Sequence, residues 1–170
     1  MTMRLSAIVI CFVLVGAPVS AGATGGMAQQ PVRAVVTASE AAWKQSKLDQ
    51  IAQYNTPDCV IHATVPKPDG TSQSENKTCQ QAIDGTRRNL AAFAASGTTY
   101  AYDSSAPAIA IQGGKATARF RVSISMVQAD KSLVVVMDQI ETLRQLDGKV
   151  QIAAVDIKTV SITVDGQRKF

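Results

Sequence analysis

Residues 115–127 read KATARFRVSISMV, and this alternation is the feature that most limits what the chain can become. Ala116, Ala118, Phe120, Val122, Ile124 and Met126 face one way, while Lys115, Thr117, Arg119, Arg121, Ser123 and Ser125 face the other. A half-buried strand of this length needs partners along both edges and a layer over its apolar face. The sequence supplies the partners: TTYAYD and PAIAIQ precede it, SLVVVMDQIETLRQL and KVQIAAVDIKTVSI follow. Gly113-Gly114 and Asp147-Gly148 are two-residue hairpin signals. Within the last segment the apolar register slips near Ala153-Ala154, from Val150 and Ile152 to Val155 and Ile157. A bulge there would bend the strand and curve the sheet.

The covering layer comes from the first half. Residues 37–54 predict a helix, opened by a Thr37/Glu40 capping box and carrying Ala38, Ala41, Ala42, Leu48, Ile51 and Ala52 as a stripe. Pro57 stops it. CVIHATV is a short strand by its β-branched content, and PKPDGTSQSENK after it reads as a polar loop. A second helix follows, with Thr78 and Gln81 as a capping box, Ile83, Leu90 and Phe93 on its apolar face, and Gly97 as its stop. Gly85 inside that helix costs about 1 kcal/mol relative to Ala and predicts close packing there. Helices followed by an antiparallel meander make an α+β chain, a curved sheet packed on N-terminal helices.

Residues 1–23 are read as a cleaved signal peptide: Arg4, an apolar run over residues 5–16, then small residues allowing cleavage after Ala21 or Ala23. The run is shorter than the roughly 20 residues of a membrane span. An exported protein, periplasmic or secreted, without a stable membrane anchor after cleavage, is the expectation. Residues 24–34 read as a flexible leader, 35–163 as one domain and 164–170 as a tail. Seventeen Lys and Arg stand against thirteen Asp and Glu, but they are scattered and aromatics are few, which argues against nucleic acid as a partner. Arg119 and Arg121, on one face with Ser123 and Ser125, read as a solvated sheet face. In an exported chain Cys59 and Cys79 read as a structural disulfide, since no C-x-x-C spacing marks a redox pair. Closing a loop of this length is worth about 3 kcal/mol in the chain-entropy model. One His and two distant Cys supply no metal-ligand spacing, and no cofactor motif is present.

From residue 35 to 162 the chain resembles the NTF2-like superfamily, which includes the SnoaL-like polyketide cyclases and the ketosteroid isomerases. The resemblance rests on the helix with Trp43, the YNTPDCVIHAT junction, the helix after the loop and the LRQLDGKVQIAAV hairpin. It implies a cystatin-like cone with a pocket lined by the first helix, the first strand and the concave sheet face. In ketosteroid isomerases an aspartate near the end of that strand abstracts a proton; here the matching position is Ala63, which cannot. The family's protonated acid on a long strand falls near Glu141.

Two functions follow as expectations. The leading one is binding, without catalysis, of a small apolar or amphipathic ligand or a protein partner, with Trp43, Tyr54, Phe93 and Phe120 lining the pocket. A fold without a cavity would point instead to a structural or assembly module, a homodimer joined through the open sheet. The rival is a SnoaL-like lyase, isomerase or cyclase using His62 with Glu141 or Asp138. It requires His62 and a carboxylate in one cavity. The bland reading of His62 is a strand histidine hydrogen-bonded locally. Asp138 and Glu141 lie three apart, so a regular strand sends them to opposite faces, with one inward.

Overall fold

A computed structural model describes residues 27–67 and 69–169; the expected signal peptide lies outside them. In chain order the elements are α1 (Gln29–Lys44), α2 (Leu48–Tyr54), β1 (Asn55–Pro66), β2 (Ser72–Thr78), α3 (Cys79–Ser96), β3 (Thr99–Ser104), β4 (Ala108–Gln112), β5 (Lys115–Gln128), β6 (Lys131–Leu146), β7 (Lys149–Val164) and β8 (Gln167–Arg168). The strands form a single curved sheet in the order β2-β1-β7-β6-β5-β3, with β4 also on β5 and β8 on β7.

The expected meander is present, with one change: β1 runs parallel to β7, so the sheet is mixed. Strand β2 and helix α3 intervene between β1 and the meander, and the chain re-enters the sheet at the far edge. Strand β5 pairs over its whole length with β6, while β4 and β3 share its other edge. The apolar face read from KATARFRVSISMV is the core face: Ala116, Ala118, Phe120 and Val122 are buried. The bulge is where the pattern puts it. Thr142 pairs with Ala154 and Leu143 with Ile152, leaving Ala153 as the extra residue. Asp147 and Gly148 both take positive φ, as do Gly113 and Gly114, which is the geometry of tight hairpin turns.

Four local expectations fail. The first helix begins at Gln29, eight residues before Thr37, so residues 29–34 are helical rather than a leader. Val32 and Val36 explain this: both are fully buried and extend the apolar stripe by two turns. Thr37 is thus mid-helix and caps nothing; α1 has no side-chain cap. The helix also breaks at Ser46, which takes φ 53°, so residues 37–54 form two helices. The polar loop is largely a strand, β2, whose side chains are exposed but whose backbone pairs with β1 from Val60/Thr78 to Pro66/Ser72. The tail contains a last hairpin, with Asp165 and Gly166 at positive φ joining β7 to β8.

The second helix matches its reading. Thr78 Oγ1 accepts from the Gln81 amide, Gln81 Oε1 accepts from the Thr78 amide, and Gly97 closes the helix at φ 69°. A disulfide joins Cys59 on β1 to Cys79 at the start of α3, with Cα atoms 5.3 Å apart. Only Cys79 and Ile83 of this helix are buried. Ile83, with Leu90 beside it, packs on the small cluster of Ala42, Leu48 and Ile51, while Ala82, Ile83 and Thr86 also border a hollow. Close packing at Gly85 is not found, because an added Cβ would meet only the Arg88 guanidinium, at 3.9 Å.

Candidate functional site

The hollow is a cavity of about 320 Å³ between α1, α3 and the concave side of the sheet. Strand alternation selects its walls. Ile61 and Ala63 of β1 point in, as do Gln139 and Glu141 of β6 and Val155 and Ile157 of β7. From the helices come Ser39, Trp43, Ile83 and Thr86, and from β3 come Tyr100 and Tyr102. The wall is mostly aliphatic and aromatic, with a few polar groups deep inside.

One of them, Glu141, is a buried carboxyl, and a second carboxyl, Glu40, lies behind the wall close enough to act on it. Glu141 is 1% exposed; its Oε1 accepts from Gln139 Nε2 at 3.3 Å, and its Oε2 has no hydrogen-bond partner among the described residues. Burial pushes the Glu141 carboxyl up to about 8, and the nearby Glu40 charge adds to the rise against the Gln139 hydrogen bond. At neutral pH it is therefore chiefly a neutral acid with an O–H to donate. Glu40, on α1, is also raised by burial, a rise opposed by hydrogen bonds from Ser104 and Tyr102 and by Lys44. Tyr102 donates its hydroxyl to both Glu40 oxygens, at 3.0 and 3.2 Å. Burial and the Glu40 charge hold that phenol protonated far above its ordinary range. Tyr102 also stacks on Trp43, with ring centroids 6.1 Å apart. Ser39 Oγ is buried without a partner among the described residues.

His62 is not in this cavity. It lies between Ile61 and Ala63 on β1, so it projects from the opposite face, where its Nδ1 sits 2.8 Å from Oδ1 of its cross-strand neighbour Asn76. Asp138 is on the same outer face, exposed and bonded to Arg121 Nε at 2.8 Å. The expected pairing of His62 with Glu141 is thus excluded by a sheet's thickness. His62 and Asp138 do border one shallow outer groove, together with Arg119, Asp156 and Lys158. Asp138 is already committed there to Arg121.

Of the expected pocket aromatics, Trp43 lines the cavity and three do not. Tyr54 packs against both core clusters at the end of α2. Phe93, one turn too far along α3, stacks instead on Tyr100 at 6.2 Å. Phe120 is 6% exposed and belongs to the packed core. Glu40, Ser39, Tyr100, Tyr102 and Gln139 were missed. Glu40 had a legible signal: it stands four residues after Val36 and three before Trp43, on the buried stripe of α1. Its apparent role in a capping box hid it. Tyr100 and Tyr102 are two apart on one strand and share a face.

Solved structures with the same arrangement exist. One is an NTF2-like protein from Shewanella baltica, at TM-score 0.52 and 12% identity, covering 76% of this chain and 91% of that one. Another is a protein with a cystatin-like fold from Caulobacter vibrioides, at 0.55 and 13%, covering 77% and 88%. A third is an NTF2-like protein with a cystatin-like fold from Novosphingobium aromaticivorans, at 0.56 and 13%, covering 77% and 80%. The chain has the NTF2-like, cystatin-like fold. No family model matches the sequence, and no curated protein matches it. Within this NTF2-like cone, Ala63 stands on the cavity wall, at the position the resemblance assigns to the isomerase base. The inward acid of β6 is Glu141.

Proposed function

We propose that this chain is an exported binding protein whose cone holds a small amphipathic molecule, its apolar body against the wall and its polar end at Glu141. One observation carries the reading: an apolar cavity of about 320 Å³ contains a buried carboxyl oxygen that no group among the described residues satisfies. Ligand sites are typically apolar concavities with a few convergent polar groups, and an unsatisfied buried polar atom costs about 1–3 kcal/mol until a partner arrives. Ala63 leaves no side-chain base at the isomerase position, which favours binding over turnover. Export is supported by the apolar N-terminal run and by the Cys59–Cys79 disulfide. Among the described residues no helix is long and apolar enough to cross a membrane.

Trp43, the chain's only tryptophan, lines the cavity and reports on it. Titration with 2-phenylethanol is expected to change its fluorescence saturably, and Ala63→Phe, which puts a ring into the cavity, to abolish the response while preserving the melting temperature. A response that does not saturate, or that survives Ala63→Phe, refutes the reading.

A second reading has its own observation. An acid raised to about 8 in an apolar site suits general acid–base work near neutral pH. It predicts turnover of a small carbonyl substrate that Glu141→Gln removes and His62→Ala leaves intact.

A further inference from the structure

The hydrogen-bonding inventory of the cavity is lopsided. Two deep donors are already engaged by carboxyls: Tyr102 O–H is on Glu40, and Gln139 Nε2 is on Glu141 Oε1. What remains open is Glu141 Oε2, 1% exposed on the cavity wall, and Ser39 Oγ. Two carboxyls therefore influence one apolar space. Among the described residues the only cationic side chain on its wall is Lys77, which is half exposed and paired with Glu75 at 2.9 Å. Lys44, which acts on Glu40 from outside, is tied to Asp103. Aromatic side chains complete the surroundings: Trp43, Tyr100 and Tyr102 line the same space.

Without a ligand, the chain avoids two buried negative charges by keeping a proton on Glu141. A cation can replace that proton and satisfy the open oxygen with a charge-assisted hydrogen bond, and aromatic rings add cation–π attraction in a desolvated site. An anion would meet the Glu40 charge, and a neutral carbonyl, though it could accept from the Glu141 proton or the Ser39 hydroxyl, would bring no counter-charge to the two carboxyls. We propose that the ligand of this cavity carries a positively charged nitrogen on an apolar body, with the cation seated at Glu141 beside Trp43 and Tyr102. The inference rests on the binding reading above and names the ligand's chemistry. Binding is then an exchange: the ammonium enters and one proton leaves Glu141 for solvent. The groups that face Glu141 are Glu40 from α1, Tyr100 and Tyr102 from β3 and the Glu75–Lys77 pair from β2; α3, β1 and β7 present no titratable group to the cavity.

Phenethylamine and 2-phenylethanol, nearly the same shape, separate charge from fit. With the full chain at pH about 9, where Glu141 is ionised, the amine is expected to bind at least about tenfold tighter than the alcohol. At pH about 6 that advantage should shrink to about threefold or less. At pH about 7, where Glu141 carries its proton, calorimetry in two buffers of different ionisation enthalpy should show proton release for the amine alone. Glu141→Gln should bring the two affinities within about twofold of each other. The wild-type pH dependence stands as an independent measure if that variant does not fold. Alcohol binding as tight as amine binding at both pH values overturns the cation assignment while the cavity reading survives. Binding of neither probe overturns both.

Discussion

The two faces of the sheet are built from the same strands, yet they put the same chemical groups into opposite states. Asp138 and Glu141 are three residues apart on β6. Asp138 is outside, half exposed, charged and held by Arg121; Glu141 is inside, 1% exposed, and protonated near neutral pH. Likewise His62 meets water and Asn76, while its neighbours Ile61 and Ala63 line the hollow. Alternation decides which residue faces in, and burial decides what that residue can do. The outer face is a solvated polar surface whose ion pairs carry little energy, and the inner face holds unbalanced polarity in a dry space.

The largest expected effect tests the inner face. Glu141 has a raised folded-state pKa, so between the unfolded value, 4.5, and about 8 the native state holds a proton that the unfolded chain has released. Stability should therefore fall as pH rises through this window, on the order of 4 kcal/mol in all. Glu40, raised in the same direction, adds to the slope. Glu141→Gln should flatten most of it and make the variant more stable than wild type at pH about 8. Denaturant melts across pH check this; an unchanged slope would mean that Glu141 titrates normally.

Next comes the tie that holds α3 over the inner face. Replacing Cys59 and Cys79 together by Ala should cost about 3 kcal/mol in urea unfolding, the closure term for residues 20 apart. Since α3 has few buried contacts of its own, the Trp43 response to 2-phenylethanol should weaken as well. The smallest effect belongs to the outer face: Asp138→Asn should change stability by no more than about 1 kcal/mol, and less in high salt. A larger loss would break the contrast between the faces.

What was legible in the sequence follows the same division. Period-two alternation in β5 fixed its buried face, and the slip at Ala153 gave away the bulge, because both are local consequences of which side chains must be dry. The opposite orientations of Asp138 and Glu141 came from spacing alone. Partners that meet through space were not legible. Nothing local shows that β1 will lie parallel to β7, or that Glu40 on α1 will accept from Tyr102, 62 residues later. The polar β2 was missed because it pairs through its backbone while its side chains stay in water, so no hydrophobic signal marks it. The start of α1 was missed for a different reason. The Thr37/Glu40 spacing imitates a helix start, and the deeply buried Val32 and Val36 outweigh it.

Ala153 separates two properties that usually travel together in a strand. Val155 and Ile157 would still look inward if that residue were deleted, since the count on either side would return to plain alternation. The strand, however, would straighten, and the concavity beneath α1 and α3 would become shallower. The depth of the hollow thus depends in part on a surplus methyl-bearing residue in β7 that does not itself line it.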